Sequence, residues 1–209
     1  MYQLFDSLFD QYSQYETHDI FLEMFAVLFG LISVWYSKRN NILVFPTGMI
    51  STAIFVYLLF KWSLLGDMII NGYFFIMSVY GWYVWARKKN EAFTPITSLT
   101  KKEVIPSLFI FFFSVIIVYL VYIYFDMWNS YTAYIDNFTT AIFFVGMWLM
   151  ARRKVENWIF WIVGDLISIP LYFYKGLTIT SLQYLIFTVI AIYGYRAWKK
   201  ILNKSLPTS

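Results

Sequence analysis

The chain has 209 residues with a net charge of +4, and it is 60% hydrophobic and only 13% charged, where an average soluble domain is roughly 25% charged. A soluble fold of this length has too little interior to hide that much apolar surface, so lipid is expected to cover much of it. Cysteine is absent, which excludes disulfides, thiol catalysis and thiolate metal sites.

Residues 1–20 carry Asp6, Asp10, Glu16 and Asp19 but no Lys or Arg, the opposite of a signal peptide's basic head. Leu4, Phe5, Leu8, Phe9 and Tyr12 recur at helical spacing, which suits either a short interfacial helix or a frayed tail. Seven nearly uncharged stretches then follow, each long enough to cross a hydrocarbon layer of roughly 30 Å. They are residues 20–37, 42–60, 65–86, 104–125, 136–151, 157–174 and 176–197. Pro46, Pro106 and Pro170 fall inside them or near their starts, where neighbouring helices can satisfy the freed backbone groups. Aromatic residues cluster near the ends (Trp35-Tyr36, Trp82 to Trp85, Trp158 to Trp161, Trp198), as interfacial anchors do. Residues 88–102, polar and containing Pro95, form the candidate linker.

Basic residues predict the orientation. Lys38 and Arg39, the run from Arg87 to Lys102, Arg152 to Lys154, and Arg196 to Lys204 all fall on one side. Only Lys61 and Lys175 fall on the other. The positive-inside rule puts the first side in the cytoplasm, with the N-terminus outside and the C-terminus inside.

A pattern recurs along the chain. Asn41, Gly48, Tyr80-Gly81 and Trp85 are echoed by Asn157, Gly164, Tyr193-Gly194 and Trp198, with a slip of three residues midway. A single all-α membrane domain (1–209) is expected. Its first three-helix repeat is 20–86, its linking helix 104–125 and its second repeat 136–198. The odd linking span makes the repeats parallel, related by an axis along the membrane normal, as in duplicated transporters.

Asp165 lies near the middle of its span, where a charge costs at least roughly 2.5–3.5 kcal/mol and usually faces a cavity. On a helix wheel Trp158, Trp161, Asp165, Ser168 and Tyr172 share an arc of roughly 80°. Asp67, Asn71, Ser78 and Trp82 share an arc of roughly 60° on the third span. Asn71 is expected to serve the site, while Asp67 suits either the site or a solvated outer end. In the last span Gln183 and Tyr184 are candidates beside Thr180, and Thr140 is ambiguous in the fifth. Gly48, Ser51 and Thr52 read best as close helix contacts. Aromatic faces beside a buried carboxylate suit a small, planar, polar solute, neutral or positively charged.

The segments Tyr80-Gly81-Trp82-Tyr83-Val84-Trp85, Leu149 to Lys154, Glu156 to Trp161, Leu171-Tyr172, Lys175-Gly176 and Tyr193-Gly194 resemble the PnuC vitamin transporters over about residues 20–200. The resemblance implies a bacterial inner-membrane carrier with a 3+1+3 arrangement, similar to SWEET-type transporters. Such a carrier passes nicotinamide riboside, thiamine or riboflavin by facilitated diffusion, without a cofactor. It also implies a homotrimer and a cytoplasmic kinase that traps the solute. Trp158 and Trp161 are then expected in the vitamin site, with Asn71 where Gln is common and Asp165 where some nicotinamide riboside carriers have Asn. Among other classes, a retinal protein needs a Lys inside the last span, which Gly176 to Tyr195 lacks. For an intramembrane enzyme the sole His, His18, lies outside the spans and no paired metal-ligand motif appears. Thus a seven-helix receptor is the remaining competitor, and it lacks a duplication.

Overall fold

The computed structural model describes residues 16–62, 65–89, 92–126, 128, 131–174 and 178–205. Along the chain come α1 (Thr17–Lys38), α2 (Val44–Lys61), α3 (Leu65–Ala86), the strands β1 (Lys88–Lys89) and β2 (Ala92–Phe93), α4 (Lys101–Tyr124), α5 (Thr132–Ala151), α6 (Asn157–Tyr174) and α7 (Thr178–Ser205). Each expected span is a helix. The suggested N-terminal interfacial helix lies outside the described residues, apart from α1 starting at Thr17. The short fifth stretch gains a turn and begins at Thr132. Helix α7 runs on to Ser205, carrying Lys199, Lys200 and Lys204 at the end where cations meet the negative pole of the helix dipole. Four of the helices, α1, α2, α4 and α5, are long and apolar enough to cross a membrane.

Helix α2 lies between α1 and α3, and α6 lies between α5 and α7. The two groups meet where α3 packs on α5 and α1 packs on α7, so six helices close into a ring. Helix α4 stands outside the ring against α5. Much of it faces away from protein, with Ile105, Phe109 and Phe112 at least 60% exposed, as a lipid-facing surface requires.

The recurrence is clearest where α1 and α5 end. Asn40 and Arg153 both adopt a left-handed backbone, with φ of 54° and 55°. The Asn41 N–H donates to Tyr36 O (3.0 Å) and the Lys154 N–H to Leu149 O (2.9 Å). One residue earlier, Asn40 and Arg153 donate to Ser37 O and Met150 O, both at 2.9 Å. These are paired Schellman closures. They equate Asn40 with Arg153 and therefore Val44 with Asn157, a register of 113 residues. The same offset relates Gly81 to Gly194 and Trp85 to Trp198, so no slip is needed. The matching Asn41/Asn157 and Gly48/Gly164 in the sequence are coincidences of residue type.

In that register Phe45 is the mate of Trp158, and the contacts agree. Phe45 meets Trp85 edge-on at 5.0 Å, and Trp158 meets Trp198 edge-on at 5.6 Å. Trp85 and Trp198 lie 5.8 Å apart between them. Each indole N–H crosses to the other group: Trp85 donates to Met150 O and Ala151 O (3.3 and 3.2 Å), and Trp198 donates to Ser37 O (3.0 Å). These bonds gather the ends of α1, α3, α5 and α7, and the basic runs beside them, at one end of the bundle.

The linker is folded rather than open. After the β1–β2 hairpin, Thr97 forms a parallel bridge with Lys154, exchanging backbone bonds with Arg153 and Val155 at 3.0 Å. Glu103 Oε2 accepts from the Thr100 N–H (3.0 Å) and hydroxyl (2.7 Å), closing the first turn of α4. Its Oε1 lies 2.8 Å from Lys154 Nζ. The linker is thus clasped to the α5–α6 turn.

Gly81 and Gly194 admit the aromatic rings that form this junction. A Cβ on Gly81 would sit 2.2 Å from Phe45 Cε1, and one on Gly194 2.6 Å from the Trp158 ring. Gly81→Ala and Gly194→Ala are each expected to cost about 1–3 kcal/mol through overpacking. Thermal melts in detergent check this, and unchanged melting of both variants contradicts it.

Candidate functional site

The ring encloses a central cavity of about 270 Å³. Helix α1 contributes Gly30, Ser33, Val34 and Ser37, α2 contributes Val44, Gly48, Ser51 and Thr52, and α3 contributes Phe74 and Ser78. Opposite them stand Phe143, Met147 and Met150 of α5, Trp158, Trp161 and Asp165 of α6, and Tyr184, Phe187 and Ala191 of α7. No residue of α4 takes part. The wall carries one carboxylate and no Lys or Arg.

Asp165 is 2% exposed, and its carboxylate makes no hydrogen bond or ion pair among the described residues. A buried carboxylate without a partner is costly unless the space it faces supplies one. The aromatic panel beside it is ordered: Phe143 stacks on Trp161 at 5.4 Å and on Tyr184 at 6.1 Å, and Tyr184 lies 5.1 Å from Tyr172. Phe74 reaches across from α3, 6.4 Å from Trp161. Such faces receive a flat ring, and a positive charge on that ring strengthens the contact.

Of the residues singled out in the sequence, Trp158, Trp161, Asp165 and Tyr184 meet on this wall, and Asn71, Gln183, Trp82, Thr140 and Asp67 lie outside it. Asn71 donates to Asp67 O at 3.0 Å, so its amide serves its own helix. Trp82 is 44% exposed on the outside of the bundle. Thr140 is buried within α5 away from the cavity, and Asp67 sits in the first turn of α3. Ser168, on the same wheel arc as Asp165, is buried beyond the lining. Gly48, Ser51 and Thr52, read from sequence as helix contacts, line the cavity. Gly48 does both, since a Cβ there would sit 3.0 Å from Ser33 Oγ.

Sequence reasoning missed Ser33, Ser37, Phe74, Phe143 and Phe187. Phe74 and Phe187 are mates, as are Ser37 and Met150, which touch each other through Ser37 Oγ and Met150 Sδ at 3.2 Å.

Long apolar helices ringed about an aromatic cavity with one carboxylate are the build of a multi-pass membrane protein with room for a small solute between its helices. The family model described as nicotinamide mononucleotide transporter matches residues 20–200. The chain belongs to that family, which is one of transporters. It is 24% identical over 201 residues to the nicotinamide riboside transporter PnuC of Escherichia coli K12, covering 85% of this chain and 84% of that one. It is 27% identical over 199 residues to the riboflavin/roseoflavin transporter RibM of Streptomyces davaonensis, covering 91% and 87%. A crystal structure of the vitamin B3 transporter PnuC shares the fold, with a TM-score of 0.66 at 22% identity over 91% of this chain and 85% of that one.

Trp158 and Trp161 differ in what they support. Trp158 is 2% exposed and braced against Trp198, whereas Trp161 is half-buried with its ring on the aromatic panel. Trp161→Ala is expected to weaken binding of a planar cation by about 1–2 kcal/mol without loss of monodispersity. Trp158→Ala is expected to destabilise the fold itself by about 3–5 kcal/mol. Calorimetry and melting on both variants separate the two effects, and equal melting of the two contradicts the assignment.

Proposed function

We propose that this protein carries nicotinamide riboside across the bacterial cytoplasmic membrane by facilitated diffusion. The N-terminus lies outside, and the end bearing the basic runs lies in the cytoplasm. The observation that carries the reading is the unpartnered Asp165 carboxylate beside Trp161 in a cavity without a basic residue. A pyridinium ring brings both a flat face and a positive charge to those groups. A phosphate monoester is disfavoured there, because its charge would face Asp165 with no cation to offset it, which selects the riboside over the mononucleotide. The PnuC relatives support the same choice. The groups α1–α3 and α5–α7 act as parallel repeats linked by α4, a 3+1+3 arrangement, and the solute path follows the axis between them. Trapping falls to a cytoplasmic kinase, and the carrier works as a homotrimer.

Two further vitamins are measured against this reading. RibM makes riboflavin a second candidate, and a carboxylate suits the aminopyrimidine of thiamine. Asp165→Asn keeps the shape and removes the charge, so a cationic ligand should lose affinity and neutral riboflavin, if bound at all, should not. Equal losses for both in a well-folded variant contradict charge recognition.

Transport is tested in liposomes loaded with unlabelled nicotinamide riboside. They are expected to exchange it for labelled riboside without any ion gradient. Uptake that appears only when a proton or sodium gradient is imposed rejects facilitated diffusion.

A further inference from the structure

The two halves of the cavity wall are built on one plan but filled differently. In the register of 113, Gly48 is the mate of Trp161, Ser51 of Gly164 and Ser78 of Ala191. Where the second half places a large ring, the first leaves a gap, and where the second has no polar atom, the first has hydroxyls.

Three of the hydroxyls on that wall are spent on the fold and two are not. Thr52 donates to Gly48 O at 2.8 Å, Ser33 to Val44 O at 2.7 Å and Ser37 to Met150 Sδ at 3.2 Å. Ser51 and Ser78, only 5% and 3% exposed, have no hydrogen-bond partner among the described residues, and both line the cavity. Leaving a buried hydroxyl unpaired costs about 1–3 kcal/mol, so two of them facing one space point to a ligand that supplies the partners. Two glycines open that space: Ser51 Oγ lies 3.2 Å from where a Cβ on Gly30 would sit, and Ser78 Oγ 3.5 Å from where one on Gly48 would sit.

We propose that Ser51 and Ser78, beside Gly30 and Gly48, form a polyol subsite that hydrogen-bonds the vicinal hydroxyls of a sugar while the attached ring lies against Trp161 and Asp165. A serine hydroxyl both donates and accepts, as a sugar hydroxyl does, and the two match without any charge. The inference rests on the carrier reading above and narrows it to ribosyl or ribityl compounds. Thiamine, which has no vicinal diol, leaves both serines unpaired.

The test is a cycle between protein and ligand. Wild type and the Ser51→Ala/Ser78→Ala double variant are titrated calorimetrically with nicotinamide riboside and with its 2′,3′-dideoxy analogue. Each neutral hydroxyl pair being worth about three- to ten-fold, the wild type is expected to prefer the riboside by roughly ten-fold or more and the double variant by no more than about two-fold. The analogue itself should bind both proteins alike. A preference that survives in the double variant, or wild type that binds both ligands equally, overturns the subsite and leaves the carrier reading standing. Wild type that binds neither overturns the carrier reading instead. Should the double variant not be monodisperse, the single variants Ser51→Ala and Ser78→Ala are each expected to close part of the gap.

Discussion

The ring of helices depends on two indole N–H groups that cross between its halves. Trp85 reaches from α3 to the end of α5, and Trp198 reaches from α7 to the end of α1. The carbonyls they meet, at Met150 and Ser37, lie in last turns and already accept the Arg153 and Asn40 N–H groups of the Schellman closures, so each indole takes up a second lone pair. Each bond therefore gives a buried indole donor a partner across the halves, where water is scarce and an unpaired group is expensive. Aromatic packing then fixes the indoles. Phe45 and Trp158 meet them edge-on, and Gly81 and Gly194 let those two rings come in. The junction closes one end of the cavity's surround and leaves the space above it for a solute.

From one scaffold, unequal walls follow by side-chain size alone. Gly48 and Trp161 occupy matched positions, as do Thr52 and Asp165. Two tryptophans at the first pair would fill the cavity, and two glycines would leave no face for a ring. Two carboxylates at the second pair would repel across a low-dielectric space. The observed combination puts ring, charge and aromatic stack in one half, and room with hydroxyls in the other.

Much of this was legible in the sequence. Apolar length found the seven helices of the described residues, and the Tyr-Gly and Trp residues near Gly81 and Gly194 pointed to the recurrence of the α1 and α5 turns. The basic residues marked the end at which the indoles cross. Asp165 and Trp161 stood out because a carboxylate in an apolar run has few reasons to be there. The register was misjudged at Asn41 and Gly48, because identical letters were matched while the structure matches hydrogen-bonded turns. Asn71 misled for a related reason: an amide in an apolar helix needs partners, but its own backbone at Asp67 supplies one. Ser78 stood on the polar arc of its span, but Ser51 was hidden by its size. A small residue on an apolar helix signals close packing, and only the neighbours decide whether a helix or a cavity fills the space.

The fastenings outside the ring are unequal as well. Lys61, at the end of α2, lies 2.8 Å from Asp19 and 3.0 Å from Glu16 at the start of α1. Asp19 is buried, so removing Lys61 would strand a charge, a far larger loss than that of an exposed pair. The second group has its clasp at the opposite end, where Lys154 meets Glu103 and the Thr97 bridge holds the linker against the α5–α6 turn. Thus α1 is pinned to α2 at the end away from the indoles, and α4 and its linker are pinned to α5 and α6 at the end beside them. The Lys61 clasp lies within one half and does not oppose movement of one half against the other, whereas the linker runs on from α3, with Thr94 donating to Val84 O and accepting from Arg153, and so ties the halves. It adds there to the indole junction and to the contacts of α3 with α5 and of α1 with α7.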